Sequence, residues 1–173
     1  MASIIGVQEL QHTNGTSAMT IDSSGRILTP ARPSFFAYRS TTDASDTNYS
    51  SHTQVDFEAT QHNIGGHYNT STYNFVAPVD GIYHFSWQVR VSNTTTANYV
   101  YTQLRKNGSA DWGGFYVYAQ LEDPQGGSIQ TPHTSATLQV SANDEIAVFL
   151  VVNGDTSTKI TKDTTFFSGF LVG

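Results

Sequence analysis

The chain has 173 residues, of which 38% are hydrophobic, 13% are charged and none is cysteine, and its formal net charge is -6. This length suits one domain with a substantial core, and the scattered basic residues exclude a surface that follows the phosphates of a nucleic acid. No hydrophobic run is long enough to insert into a membrane. Because neither a signal peptide nor a cysteine is visible, we expect synthesis in a cytoplasm.

Residues 1–33 are predicted to form an extended amino-terminal arm. Ile4–Leu10, Ala18–Ile21 and Arg26–Leu28 are short extended pieces separated by glycine-containing turns, and a proline-rich connector follows them. A segment this short cannot build its own core, so we expect it to pack on a partner or on sister arms. The apolar residues predicted to attach it are Ile4, Ile5, Val7 and Leu10.

Residues 34–173 are predicted to form a globular head of short strands. Alternating patterns and β-branched or aromatic residues recur with turn signals between them, which is typical of a β-sandwich or barrel. An Asn-Gly pair at positions 107–108 predicts a hairpin turn, and residues 123–127 are predicted to form a loop. The predicted strands are Ser34–Tyr38, Val55–Glu58, Thr72–Val76, Gly81–Val91, Tyr99–Lys106, Phe115–Glu122, Ser135–Val140, Glu145–Val152 and Phe166–Val172.

Three aromatic rings follow one another at a period of two in the fourth predicted strand. On a strand, Tyr83, Phe85 and Trp87 lie on the same face, which is too large to leave in water. We therefore predict that these rings share one buried face and that Phe170 packs in the same sandwich.

Other predicted strands are apolar on both faces. Filling of the core accounts for many aromatic residues, but not for both faces of Tyr99–Tyr101 and Phe115–Tyr118. A strand that is apolar on both faces is buried on both sides. We therefore expect one face to meet the core and the other to meet the threefold axis of a homotrimer, with tyrosine hydroxyls bonded there. The candidate axis residues are Tyr99, Tyr101, Tyr116 and Tyr118.

The spacing of aromatic and glycine residues resembles the globular head of complement C1q, a family of the tumour-necrosis-factor-like superfamily. The matching residues are Phe57, Asn63, Tyr68, Phe75, Gly81, Tyr83 and Phe85, and further matches extend from Pro33 to Leu171. Trp87 departs from the family, which usually has Phe or Tyr there. The resemblance implies an all-β jelly-roll sandwich that assembles as a homotrimer.

The arm carries a second resemblance. Thr13–Arg26 is similar to amino-terminal segments of tailed-bacteriophage virion proteins, especially those of marine phages. This resemblance implies a virion protein that is made in the cytoplasm of the bacterial host and that contacts other virion proteins of the tail or capsid.

Constellations that carry catalysis or bind metals are weak. His62 and His67 lack a cysteine or a close third ligand, and Asp43, Asp46 and Asp155 lack calcium-loop spacing, so surface carboxylates are the better interpretation. No Gly-x-Ser-x-Gly elbow occurs. A paired-carboxylate glycosidase is left open, because its two acids can lie far apart in the chain. We expect no enzyme activity, no cofactor and no metal.

Two roles remain as hypotheses. In the first, the protein is a tail-fibre or appendage component whose head binds a host-surface glycan or protein. In the alternative, it is a decoration (cement) protein that stabilises the capsid. The arm favours the appendage, and a cellular adhesion or signalling module is a distant third.

Overall fold

The structure is a computed structural model that describes residues 6–122, 129–162 and 164–173. The predicted loop at 123–127 lies outside these residues. The strands, numbered in chain order, are β1 Glu9–Gln11, β2 Ser17–Ile21, β3 Ile27–Leu28, β4 Ser34–Tyr38, β5 Thr53–Gln54, β6 Ala59–Ile64, β7 Tyr68–Asn69, β8 Asn74–Val76, β9 Gly81–Gln88, β10 Val91–Ser92, β11 Tyr99–Lys106, β12 Val117–Glu122, β13 Ile129–Gln130, β14 His133–Val140, β15 Glu145–Asn153, β16 Lys159–Ile160 and β17 Phe166–Leu171.

Two antiparallel sheets form a jelly-roll sandwich. The five-stranded sheet has the order β14-β9-β17-β4-β6. The six-stranded sheet has the order β12-β11-β15-β8-β7, and β5 also pairs with β15. Strands that are distant in the chain lie side by side, since β17 pairs with both β4 and β9. A small sheet of β13, β10 and β16 accompanies the sandwich.

Alternation along β9 separates core from surface. Tyr83, Phe85 and Trp87 have no exposed surface, whereas His84 and Ser86 between them are partly exposed. The one polar group of Trp87 is satisfied inside the sandwich, because its indole Nε1 donates a hydrogen bond of 2.9 Å to Thr102 Oγ1 on β11. The rings that the sequence places on one face are therefore buried together.

Gly169 lies where the aromatic rings of the core come closest to the backbone. It pairs with Phe35 on one side and with Phe85 on the other. A Cβ at this position would lie 2.6 Å from a ring carbon of Phe85 and 2.9 Å from one of Phe35. The absence of a side chain therefore lets rings from β4 and β9 enter the core beside β17.

Phe170 does not pack in the sandwich, and the prediction that it does is wrong. Its side chain is 45% exposed, whereas Phe167, three residues earlier, is fully buried. Phe167 and Gly169 occupy the inward positions of β17, so the alternation of the strand turns Phe170 outward. There its ring lies 5.3 Å from that of His84.

Several predicted strand bounds also differ from the structure. Residues 55–58 form no strand, because the chain there passes from β5 in the six-stranded sheet to β6 in the five-stranded one. Val55 and Phe57 are buried during this crossing. Tyr73 has a φ of 58°, so β8 begins only at the next residue. Phe115 and Tyr116 precede β12, and residues 81–91 are divided between β9 and β10.

The predicted Asn-Gly turn is confirmed. Asn107 and Gly108 have φ angles of 52° and 78°, the left-handed values that a tight hairpin turn of this kind requires. Lys106 and Ser109 exchange two backbone hydrogen bonds of 2.9 Å across it.

Residues 9–28 form a separate antiparallel sheet with the order β1-β2-β3. In the described part of the chain, the hydrogen bonds of these strands and their turns join residues of the same segment. Asp22 holds the second turn, because its carboxylate accepts bonds from the backbone of Ser24 and Arg26 and pairs with the Arg26 side chain. The three extended pieces predicted in the arm are thus a small meander.

We predict that Phe85→Ala lowers the free energy of unfolding by about 3–5 kcal/mol, because it removes a fully buried ring and leaves a cavity. Thermal and urea melts at one protein concentration measure the loss. Phe115→Ala, which truncates a ring that is 48% exposed, is the matched control. Equal melting of the two variants would contradict the buried facing of β9.

We predict that Gly169→Ala destabilises the head by about 1–3 kcal/mol, because the added methyl group must displace two packed rings. Gly173→Ala, whose Cβ would meet no atom within 4 Å, is the control and should melt like the wild type. An unchanged melting temperature for Gly169→Ala would show that the rings do not depend on this close approach.

Candidate functional site

The outer face of the six-stranded sheet carries a cleft of about 220 Å³. It lies over the paired strands β11 and β12 and the turn before β12. Its lining consists of three tyrosines and two glutamines, namely Tyr101, Gln103, Tyr116, Tyr118 and Gln120. The inward positions of β11 fill the core with Val100, so alternation turns its tyrosines outward. We call this feature the tyrosine cleft.

Strand register arranges the floor of the cleft. Tyr101 lies opposite Gln120, and Gln103 lies opposite Tyr118. Rings and amides therefore alternate in both directions across the two strands, with the rings of Tyr101 and Tyr118 on the diagonal, 6.4 Å apart. A Tyr-x-Gln spacing that occurs in both β11 and β12 produces this pattern.

Neighbouring side chains fix the two amides. Arg105 Nε donates a bond of 3.2 Å to Gln103 Oε1, and Gln120 Nε2 donates one of 2.5 Å to Glu122 Oε1. Gln103 is only 7% exposed. Among the described residues, the amide nitrogen of Gln103 and the amide oxygen of Gln120 have no partner, so the cleft keeps one free donor and one free acceptor.

Polar and aromatic neighbours extend beyond the cleft. The Tyr101 hydroxyl hydrogen-bonds Nε2 of His52. Burial, and then the nearby charge of Arg105, lower the pKa of His52, while burial raises the pKa of Tyr101. Both side chains are therefore neutral at neutral pH. Arg105 itself lies over the Phe149 ring, 4.5 Å from its centroid.

The tyrosines predicted for a trimer axis thus lie on one outer face. Tyr116 and Tyr118 are 62% and 54% exposed, and Tyr99 and Tyr101 are half-buried. Their partners His52, Gln103, Gln120 and Phe149 were not predicted from the sequence. The repeated Tyr-x-Gln spacing is the signal that could have revealed the two glutamines, since on paired strands it brings amides beside rings.

The outer face of the five-stranded sheet has a different chemistry. Its strands contain no Asp, Glu, Lys or Arg. Phe36 stacks on Phe166 with ring centroids 5.3 Å apart, and Ile82 and Phe170 are exposed beside them. His84 Nδ1 forms a hydrogen bond of 3.0 Å with Thr137 Oγ1 on the neighbouring strand, β14. We call this surface the charge-free face.

The sheet in the arm also has an apolar side. Leu10 pairs with Met19 and Ile21 with Ile27, and since Met19 and Ile21 are two residues apart all four lie on one face. Leu10 and Ile27 are exposed. Of the predicted attachment residues, Val7 is also exposed, while Ile4 and Ile5 lie outside the described residues. Met19, Ile21 and Ile27 were missed because their pairing is not visible in sequence.

Of the three aspartates considered for calcium, Asp46 lies on the surface near Lys159, as expected, whereas Asp43 and Asp155 have structural roles. Asp43 pairs with the buried Arg39 and accepts bonds of 2.7 Å from the Tyr49 hydroxyl and from the backbone nitrogen of Ile160. Asp155 is buried, and although burial opposes the charge, bonds from Ser157 and Thr96 hold its pKa below the usual value.

The two histidines considered for a metal site have different surroundings. His67 lies edge-on to the ring of Phe75, and His62 is exposed. Within residues 6–122, 129–162 and 164–173, no three His, Asp or Glu side chains are grouped to hold a metal ion. The same ranges contain no helix of the length and hydropathy needed to cross a membrane.

Comparison with known proteins agrees with this architecture. The chain is similar in structure to the globular domain of zebrafish complement 1qA protein, at 16% identity and a TM-score of 0.60 over 82% of this chain and 98% of that one. Murine APRIL at pH 5.0 matches at 12% identity and a TM-score of 0.59, over 82% and 99%. Eiger TNF from S. frugiperda matches at 10% and 0.58, over 82% and 92%.

These identities establish the fold alone. The model of a protein family, described as the C1q domain, matches residues 34–172, which is most of the chain. The predicted resemblance of the head is therefore confirmed, and the chain belongs to the C1q domain family.

Proposed function

We propose that this protein is a homotrimeric surface protein of a bacteriophage virion, an appendage or tail-fibre component that attaches by its arm and presents its head to the host. The observation that carries the proposal is the division of the molecule into an apolar arm sheet and a head with two unlike outer faces. One face suits contact with copies of the same chain, and the other suits a ligand.

The charge-free face supports assembly. The cores of protein interfaces are depleted in charged residues and enriched in aromatic ones, and this sheet has an exposed Phe170 and half-buried Phe36 and Phe166 in strands without a formal charge. A large exposed apolar surface is uncommon on a monomer. A trimer is also what the C1q resemblance implies. We therefore place the trimer contact on this face and leave the predicted axis tyrosines turned to solvent.

The arm supports attachment to a particle. Thr13–Arg26, which resembles segments of phage virion proteins, lies within the small sheet. That sheet has few residues with which to cover its own apolar side, and burial of exposed apolar side chains against another surface is favourable. Leu10, Met19, Ile21 and Ile27 are the contacts we assign to that partner surface.

We predict that Phe170→Asp splits the trimer, because it introduces an unpaired charge into a contact without charges and costs about 3 kcal/mol or more per site. Light scattering should change from three times the chain mass of 18.9 kDa to a single mass. Tyr118→Asp, at a similarly exposed ring on the other sheet, should remain trimeric. The reverse result would place the axis at the tyrosines, and a wild-type monomer at micromolar concentration would refute the trimer.

We predict that deletion of residues 1–33 leaves a folded trimer that no longer joins the virion, since the described hydrogen bonds of the arm strands stay within the arm. Circular dichroism, light scattering and immunoblots of purified particles test the three statements. A truncated head that still enters particles would refute attachment by the arm.

Particles that lack the protein then separate the two roles. Loss of adsorption with intact, DNA-filled heads supports the appendage. Normal adsorption with loss of DNA on heating shows a cement protein instead.

A further inference from the structure

We propose that the tyrosine cleft is a saccharide-binding site that takes an uncharged pyranose ring. This inference deepens the proposed function, because it names the chemical class that the head would recognise on a host surface. It depends on the arrangement of five side chains on two paired strands and one turn.

Exposed rings provide the first requirement. A pyranose has a face of C–H groups, which packs against an aromatic ring, while its hydroxyls lie around the rim. Tyr116 and Tyr118 are more than half exposed, and Tyr101 lies diagonally across the floor of the cleft from Tyr118. Tyrosine offers apolar contact area with few rotatable bonds and keeps a hydroxyl for the rim.

The amides provide the second requirement. Each ring of the floor has a glutamine as its cross-strand neighbour, so a sugar stacked on the ring has an amide beside its hydroxyls. Gln103 keeps an amide donor because Arg105 occupies its oxygen, and Gln120 keeps an acceptor because its nitrogen is bonded to Glu122. A hydroxyl both donates and accepts, so this fixed pair matches it.

The absence of charged side chains in the lining of the cleft favours an uncharged sugar. All five lining residues are neutral. His52, next to Tyr101, has a lowered pKa, and the nearest cation, Arg105, is engaged with Phe149 and Gln103. An anionic sugar would find no lining group of opposite charge, whereas a neutral sugar needs none.

The backbone beneath the cleft argues against an extended peptide as the occupant. Peptides that bind sheets do so by pairing with a free edge. Here β11 is paired along both sides, with β12 and with β15, and although β12 is the edge strand, the lining side chains stand on the face of the sheet and not along that edge, so recognition in the cleft comes from side chains. The cleft is also formed within one chain and on the sheet opposite the charge-free face, so it stays open in the proposed trimer.

Calorimetric titration and saturation-transfer NMR of the full chain test the proposal, with maltotriose, lactose and chitotriose as neutral probes and sialyllactose as an anionic one. We expect at least one neutral probe to bind. Tyr118→Ala should raise the Kd for that probe by about tenfold or more, and Tyr118→Phe, which keeps the ring, should raise it by about threefold or less. Tyr116→Ala is a second variant at an exposed position.

Phe115→Ala, which truncates an exposed ring that does not line the cleft, is the matched control and should bind as the wild type does, with folding of every variant checked by melting. Binding of a neutral probe that survives both Tyr116→Ala and Tyr118→Ala would overturn the assignment to this cleft. Binding of sialyllactose alone, or of no probe, would overturn the saccharide class.

Phage adsorption separates this inference from the proposed function. If Tyr118→Ala abolishes saccharide binding and particles carrying it still adsorb normally, the site stands and the host-binding role fails. If the protein binds none of the probes and Phe170→Asp still splits the trimer while deletion of the arm still prevents incorporation, the virion assignment stands and the saccharide site fails.

Discussion

The sandwich depends on the close packing of aromatic core rings against Gly169, the position of β17 that has no side chain. Phe35 and Phe85 lie on either side of Gly169, and Phe167 lies edge-on to Phe35 with centroids 4.9 Å apart. Rings at this density leave no room for a methyl group. Successive side chains of a strand point to opposite faces of the sheet. The register that turns these rings inward therefore also determines which side chains of β4, β9 and β17 point outward. The chemistry of the outer surface is therefore tied to the packing of the core.

That coupling produces two unlike faces. The five-stranded sheet turns Phe36, Ile82 and Phe170 outward without any formal charge, whereas the six-stranded sheet turns outward tyrosines, glutamines and Arg105. The first surface is costly to leave in water and suits burial against copies of the chain. The second is amphipathic, since each ring has a polar neighbour, and it can stay hydrated until a ligand displaces the water. The proposed division of assembly and recognition between the two faces rests on this difference.

The sequence predicts the regular part of the fold well and the crossings poorly. Period-two alternation identifies the facing of β9, and strong turn chemistry identifies the hairpin at Asn107. β6, which spans Ala59–Ile64, was not predicted. It is an edge strand with one face in solvent, and its sequence has no regular alternation of hydrophobic residues. Phe170 was misplaced because its hydrophobicity is the same inside or outside a sandwich, and only the register with Gly169 fixes its side. The partners of the tyrosine cleft depend on pairing across strands, which one sequence does not display.

Assembly and recognition reinforce each other if both faces act as proposed. A cleft of about 220 Å³ is small beside typical ligand pockets, so one pyranose in it gains limited contact area and binds weakly. Three copies held by the charge-free face would carry three such clefts around the outside of the trimer, and within a dense glycan layer each engaged cleft raises the effective concentration for the next. Weak single sites then become an advantage, because a particle can adsorb firmly to a dense glycan layer and ignore isolated sugars in solution. A monomer with the same cleft would lack that discrimination, so in this proposal the aromatic surface assigned to assembly would also set the selectivity of binding.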